Sequence, residues 1–223
     1  VRSLRKMSFA VAIVVLASCS GQEQQVLSDF FQAVQGGDES TAARVSLATF
    51  EGEVESWEIV EVGPESVAPF ELPGLHEQLM KKRSEIKIEN GTNSNYAGDH
   101  RALFDEYKKK KAEDPDAMFE GELGEFQTEW EKRMESQGKL EEEEEEITAI
   151  MNVLKSAAGL SLSTSINEKF DGNVKGKELH LKVNDGSAEK GYVFMLRRYE
   201  LTNKESTLTP MSRWIITEIK EGA

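Results

Sequence analysis

Val26, Leu27, Phe30, Phe31 and Val34 recur at helical spacing and predict an amphipathic helix. Gly36-Gly37-Asp38 ends it, the glycines supplying a left-handed stop. Asp38 or Ser40 is placed to cap a second helix running through Thr41, Ala42, Ala43 and Val45 to about Phe50. Val54 to Val62, rich in β-branched and aromatic residues and closed by Gly63-Pro64, reads as a strand.

From about Leu72 to Leu160 the pattern turns helical and highly charged. Leu75, Leu79 and Met80 mark one helix, and Asn90 to Asn95 reads as a turn or loop after it. Leu103, Phe104 and Tyr107 mark another, running into Lys108 to Lys111 and broken at Asp114-Pro115-Asp116. Phe119, Leu123, Phe126, Trp130 and Met134 form an amphipathic stripe. After Gly138, Leu140 leads into Glu141 to Glu146 and then Ile147, Ile150, Met151 and Leu154; the acids fall where a helix starting there would welcome them. The section predicts three or four helices packed as hairpins.

The tail changes period again. Ser161 to Phe170, Lys177 to Val183, Gly191 to Leu201 and Met211 to Ile219 read as strands, with Asp171-Gly172-Asn173 and Asn184-Asp185-Gly186 as turns. Leu179, Leu181 and Val183 alternate cleanly, while both parities are apolar from Tyr192 to Leu196. The order of elements predicts an α+β fold: N-terminal helices packed on an antiparallel sheet, with a mostly helical insertion at about 72–160. Residues 26–223 are expected to form a single domain carrying that insertion.

Charge narrows the partners. The 223-residue chain is 38% hydrophobic and 30% charged, with a formal net charge of -14. Residues 1–18 hold Arg2, Arg5 and Lys6 and no acid, leaving 24 basic against 41 acidic residues, or -17. Such a surface repels phosphate backbones, so no nucleic-acid partner is expected. It also repels anionic headgroups, so attachment to a membrane needs something besides surface charge.

The first residues supply it. VRSLRK is basic, Met7 to Ala17 is apolar over the length of a signal-peptide core, and Leu16-Ala17-Ser18-Cys19 follows. The apolar run falls short of the roughly 20 residues of a spanning helix. The Leu-Ala-Ser-Cys stretch resembles the lipobox of bacterial lipoprotein precursors. The resemblance implies cleavage between Ser18 and Cys19, diacylglyceryl attachment at the Cys19 thiol, and further acylation of the new amino terminus. It divides the chain into a signal peptide at 1–18, a tether at 19–25 and the domain beyond. It implies a lipid-anchored protein of the bacterial cell envelope on the periplasmic or extracellular face; Ser20 is compatible with the outer membrane. Cys19 is the chain's one cysteine, so no intramolecular disulfide is available.

Phe30-Phe31-Gln32-Ala33-Val34-Gln35-Gly36-Gly37-Asp38, followed by Ala42-Ala43, is similar to the opening of nuclear-transport-factor-2-like domains. Ser212-Arg213-Trp214-Ile215-Ile216-Thr217-Glu218-Ile219 resembles that family's last strand. This resemblance implies a curved sheet wrapped on helices to form a cone with a pocket. It departs over the middle section, where the family has a short helix and a strand or two.

Candidate chemistry is sparse. His76, His100 and His180 have no partner at metal-ligand spacing, so neither a metal nor a cofactor is expected. His180 reads as exposed, and the Asp99-His100 pair as ordinary loop residues whose side chains diverge. No catalytic residue is assigned and the ligand-binding residues are unknown. Glu141 to Glu146 is read as a solvated helix face, with docking on Lys108 to Lys111 as an option. The Phe119 stripe is read as helical core, or as a groove for a partner helix; Trp57 and Trp214 as core or pocket lining. No phosphate-binding, nucleophile-elbow or dinucleotide motif is present. The expected function is a membrane-anchored binding or protein-interaction module, touching the bilayer through acylated Cys19 and an envelope protein through its domain. A pocket enzyme of the cone-shaped superfamily and a structural envelope spacer stay open beside it.

Overall fold

A computed structural model describes residues 21–206 and 209–222. Ser18 and Cys19, with the rest of the segment expected to be a signal peptide, lie outside the described residues. The fold is α+β. Its order is α1 (Gly21–Gln35), α2 (Glu39–Ala42), β1 (Ser56–Val62), β2 (Ser66–Pro69), α3 (Leu72–Asp99), α4 (Arg101–Glu113), α5 (Gly121–Leu162), β3 (Phe170–Asn184), β4 (Glu189–Asn203) and β5 (Ile215–Glu221). The antiparallel sheet runs β1-β3-β4-β5, with β2 also paired to β3. The described residues divide into a sheet unit, 21–67, 175–198 and 213–222, and a helical unit, 68–174, 199–206 and 209–212.

In the sheet unit α1 supplies one wall of the core. Leu27, Phe30 and Phe31, at most 1% exposed, meet Leu179, Leu181, Phe194 and Leu196. Phe31 stacks on Trp57 at 5.1 Å and Phe30 meets Phe194 edge-on at 6.1 Å. Trp57 faces Val183 and Ile59 faces Leu181 across the β1–β3 ladder, so the alternation seen in the sequence becomes one apolar face. As expected, α1 stops at the glycine pair, Gly37 taking φ +65°.

The second helix is shorter than predicted. Asp38 caps it as expected, accepting from the Thr41 amide at 3.0 Å, but it ends at Ala42. The segment beyond pairs with β5 instead: Ile216 N–H donates to Val45 at 2.9 Å and Leu47 N–H to Ile216 at 2.9 Å. Burying Val45 against the core outweighs the local helical pattern. Residues 21–25, read as tether, are the opening of α1, because Glu23 is buried there.

The helical unit departs furthest from expectation. Asn90 to Asn95 does not turn; α3 runs straight through it for 28 residues. Gly138 does not divide α5, which is 42 residues long, about 63 Å at the α-helical rise. The two helices lie antiparallel, Lys82 meeting Glu143 at 2.6 Å, Arg83 meeting Glu144 at 2.7 Å and Asn93 meeting Gln137 at 3.2 Å. Asn93 is 3% exposed, so a turn there would expose what the hairpin buries. The acid run sits mid-helix, beyond reach of the dipole, and docks on Lys82 and Arg83 rather than on Lys108 to Lys111. The lysine run pairs locally, Lys108 with Asp105, Lys110 with Glu106 and Lys111 with Glu131.

Ser161 to Phe170 is not a strand. The last turns of α5 bury Ala157, Ala158 and Leu162, Ser163 closes the helix with φ +53°, and β3 begins only at Phe170. Asp171-Gly172-Asn173 lies within β3 rather than in a turn. There Gly172 has φ +146°, and a β-carbon added to it would run into the Glu200 carbonyl oxygen. The last strand starts at Ile215, not Met211. The turn at 184–186 stands: the Asp185 carboxylate accepts from Ser187 Oγ at 2.7 Å and from the amides of Ser187 and Ala188 at 2.8 Å.

Candidate functional site

Two places in the sheet unit gather polar groups. The first surrounds the start of α1. Glu23 lies in line with Val26, Leu27 and Phe30, so the helix carries it inward with them. Lys177 lies in line with Leu179, Leu181 and Val183 on β3, and points the same way. The two meet at 2.5 Å, with the Glu23 side chain 1% and the Lys177 side chain 13% exposed. Lys177 also reaches Glu65 at 3.5 Å, and Lys175 meets Glu65 at 3.5 Å. Burial pulls the Lys177 pKa down, but the hydrogen bond and charge of Glu23, then Glu65, prevail and leave it raised.

Trp214 underlies this cluster. It is 1% exposed, with the Lys177 ammonium 5.3 Å and the Arg198 guanidinium 5.1 Å from its ring. Its indole Nε1–H has no hydrogen-bond partner among the described residues. Arg198 donates to Gln22 at 3.2 Å, tying β4 to the first turn of α1. The arrangement is a satisfied ion-pair network over an aromatic ring. It fixes the entry of the chain into the fold.

The second place is a cleft of about 840 Å³ between the end of α1, α2 and the 46–52 segment. Phe30, Ala33, Val34 and Phe50 line its apolar side; Asp38, Glu39 and Glu51 stand on it as acids. Hydrogen bonds from the Thr41 hydroxyl and then its amide hold the Asp38 carboxyl below the usual range. Ser46 turns inward but is used locally, donating to Ala48 O at 2.6 Å and accepting from Ala48 N at 3.0 Å. The cleft can receive an apolar group, and its acids favour a cationic over an anionic one.

The residues considered from sequence fall elsewhere. His76 is half-buried on α3; His100 is exposed between α3 and α4, its Nδ1 3.0 Å from the Tyr96 carbonyl oxygen and its ring 4.4 Å from Tyr96. His180, expected exposed, is half-buried opposite Glu61 of β1. Among the described residues no three metal-ligating side chains converge. The Phe119 stripe is core of the helical unit: Phe126, 2% exposed, stacks on Tyr96 at 5.6 Å and meets Phe104 and Tyr107. Gln127 is buried beside it and satisfied, accepting from Phe119 N at 3.1 Å and donating to Glu131 at 2.8 Å. No helix among the described residues is long and apolar enough to cross a membrane.

The chain matches no family model, no curated protein and no solved structure.

Proposed function

We propose that this chain is a bacterial cell-envelope lipoprotein, anchored through acylated Cys19 and working as a binding or protein-interaction module. The observation that carries the reading is the succession of a basic start, the apolar run Met7 to Ala17 and Leu16-Ala17-Ser18-Cys19. Several acyl chains on one residue make a durable anchor where a single one is marginal. The order of two short N-terminal helices and then antiparallel strands, with α1 packed across the sheet, supports kinship of the sheet unit with nuclear-transport-factor-2-like domains. The cleft beside α2 is the place in that unit for an apolar or cationic ligand group.

The test is metabolic labelling in a bacterial host. Labelled palmitate enters the wild-type protein and not Cys19→Ser, and mass spectrometry of the mature chain shows residues 1–18 removed. Label in the serine variant, or a mature chain that retains Ser18, overturns the anchor.

A further inference from the structure

We propose that the end of the sheet unit where α1 begins, the surface around Gln22, Gln24 and Lys177, rests on the phospholipid headgroups, with no spacer between anchor and fold. The inference rests on acylation of Cys19, proposed above, and concerns which face the anchor presents.

Only Ser20 separates Cys19 from Gly21, the first residue of α1. In any conformation, two residues of backbone reach at most about 7 Å. Acyl chains on Cys19 lie in hydrocarbon, so the cysteine backbone lies at the headgroup level. The start of α1 is therefore held within about 10 Å of that level. It cannot swing out to lengthen the link. Glu23 is locked to Lys177 at 2.5 Å, Gln22 accepts from Arg198 at 3.2 Å, and Val26 and Leu27 are buried in the core. Unwinding the first turn of α1 would pull a buried carboxylate from its ammonium.

The surroundings suit such a face. Gln22, Gln24 and Gln25 are exposed. Lys175, Lys177 and Arg198 gather there with Glu23 and Glu65, although the chain as a whole is at -14. An end charged in this way escapes the repulsion that a phosphate layer exerts on the rest of an acidic chain. The opposite end of α1, at Gln35, lies about 22 Å along the helix axis.

The experiment uses the full lipidated protein in vesicles of phosphatidylethanolamine and phosphatidylglycerol carrying a nitroxide on a fraction of the headgroups. With the Cys19 thiol acylated, one introduced cysteine is the sole free thiol and takes a bimane label. Gln24→Cys reports the start of α1 and Glu39→Cys the region past its far end. A third protein carries Gln24→Cys and a spacer of about ten Gly and Ser residues between Ser20 and Gly21, enough to add well over 10 Å. The expected result is several-fold stronger quenching at Gln24→Cys than at Glu39→Cys, with the difference abolished by the spacer. Equal quenching at both sites, stronger quenching at Glu39→Cys, or quenching indifferent to the spacer overturns the assignment. Palmitate labelling of the same proteins separates the two claims. A labelled protein with the wrong quenching pattern keeps the anchor and loses the face; an unlabelled one loses both.

Discussion

Replacing Lys177 by Met removes the ammonium that Glu23 meets at 2.5 Å while keeping most of the aliphatic stem. Breaking a buried pair from one side costs about 3–5 kcal/mol in well-enclosed cases. Here the lysine side chain is 13% exposed and shares its charge with Glu65, so the lower figure for a charged hydrogen bond applies, about 2–3 kcal/mol. Replacing Glu23 by Leu as well removes the carboxylate whose burial makes the single change costly. Exchanging a buried pair for apolar residues is close to neutral, so the double variant should return to within about 1 kcal/mol of wild type. The shortfall of the double variant's cost from the sum of the two single variants is the coupling energy of the pair.

Urea unfolding followed by tryptophan fluorescence measures this. Trp130→Phe in the background confines the signal to Trp57 and Trp214 in the sheet unit. The pH dependence has a definite sign. The Lys177 pKa is raised above the ordinary lysine value of 10.5, so its contribution is complete below that value and is lost as pH rises through the folded-state value. The gap between wild type and Lys177→Met should hold at neutral pH and close in the alkaline range above 10.5. A single-variant cost under about 0.5 kcal/mol, or a double variant as costly as the two singles together, would refute the idea that this pair fixes α1.

Three further outcomes follow from local geometry. Gly172→Ala should destabilise by more than about 1 kcal/mol, since it combines φ +146° with a β-carbon driven onto the Glu200 carbonyl; Gly191→Ala, with open space around it, is the control, and equal effects of the two would refute the strain. Arg83→Glu places a third acid against Glu143 and Glu144, so the melting temperature should fall in dilute buffer and recover with added salt; a drop indifferent to salt would mean that α3 and α5 are not joined electrostatically there. Asp185 has its pKa lowered to about 2 by the Ser187 hydroxyl, then by the Ala188 and Ser187 amides, so its contribution is present above the ordinary 3.8 and disappears as pH falls through about 2. Asp185→Asn should be less stable than wild type at neutral pH and match it at the acid end of that window, as read by acid titration of circular dichroism.

What was legible from the sequence was what neighbouring residues decide among themselves. The apolar face of α1, its glycine stop, the Asp38 cap and the 184–186 turn depend on a few adjacent positions, and all four stand. The turn signals that fail are overruled by distant partners. Asn93 is kept helical by Gln137, and Glu143 and Glu144 of the acid run are paired by a helix some sixty residues earlier in the chain. The Glu23–Lys177 pair was legible in principle. Each residue is the charged member of an otherwise apolar line, three residues before Val26 on a helix and two before Leu179 on a strand. Reading charge as surface hid both. A cation and an anion each set on the buried line of its own element mark an internal pair, even when 154 residues separate them.

Parity also bears on β3, whose first half was not read as strand, while the strand expected at Gly191 to Leu201 lies within β4. In β3 the buried residue of the helical unit is Phe170, an even position, while Leu179, Leu181 and Val183 in the sheet unit are odd. In β4 the buried positions are Phe194 and Leu196 in the sheet unit, then Tyr199 and Leu201 in the helical unit, so even gives way to odd. A strand that keeps one period shows one clean alternation; a strand serving two cores shows two half-patterns that cancel over its length. The chain passes from one unit to the other between 174 and 175 in β3 and between 198 and 199 in β4, between the two buried sets of each strand. Asp171-Gly172-Asn173 sits just before the first crossing and carries the residue types of a turn inside a strand that continues through it. A strand whose apolar parity inverts midway is better read as one element shared by two cores than as two strands with a turn between them.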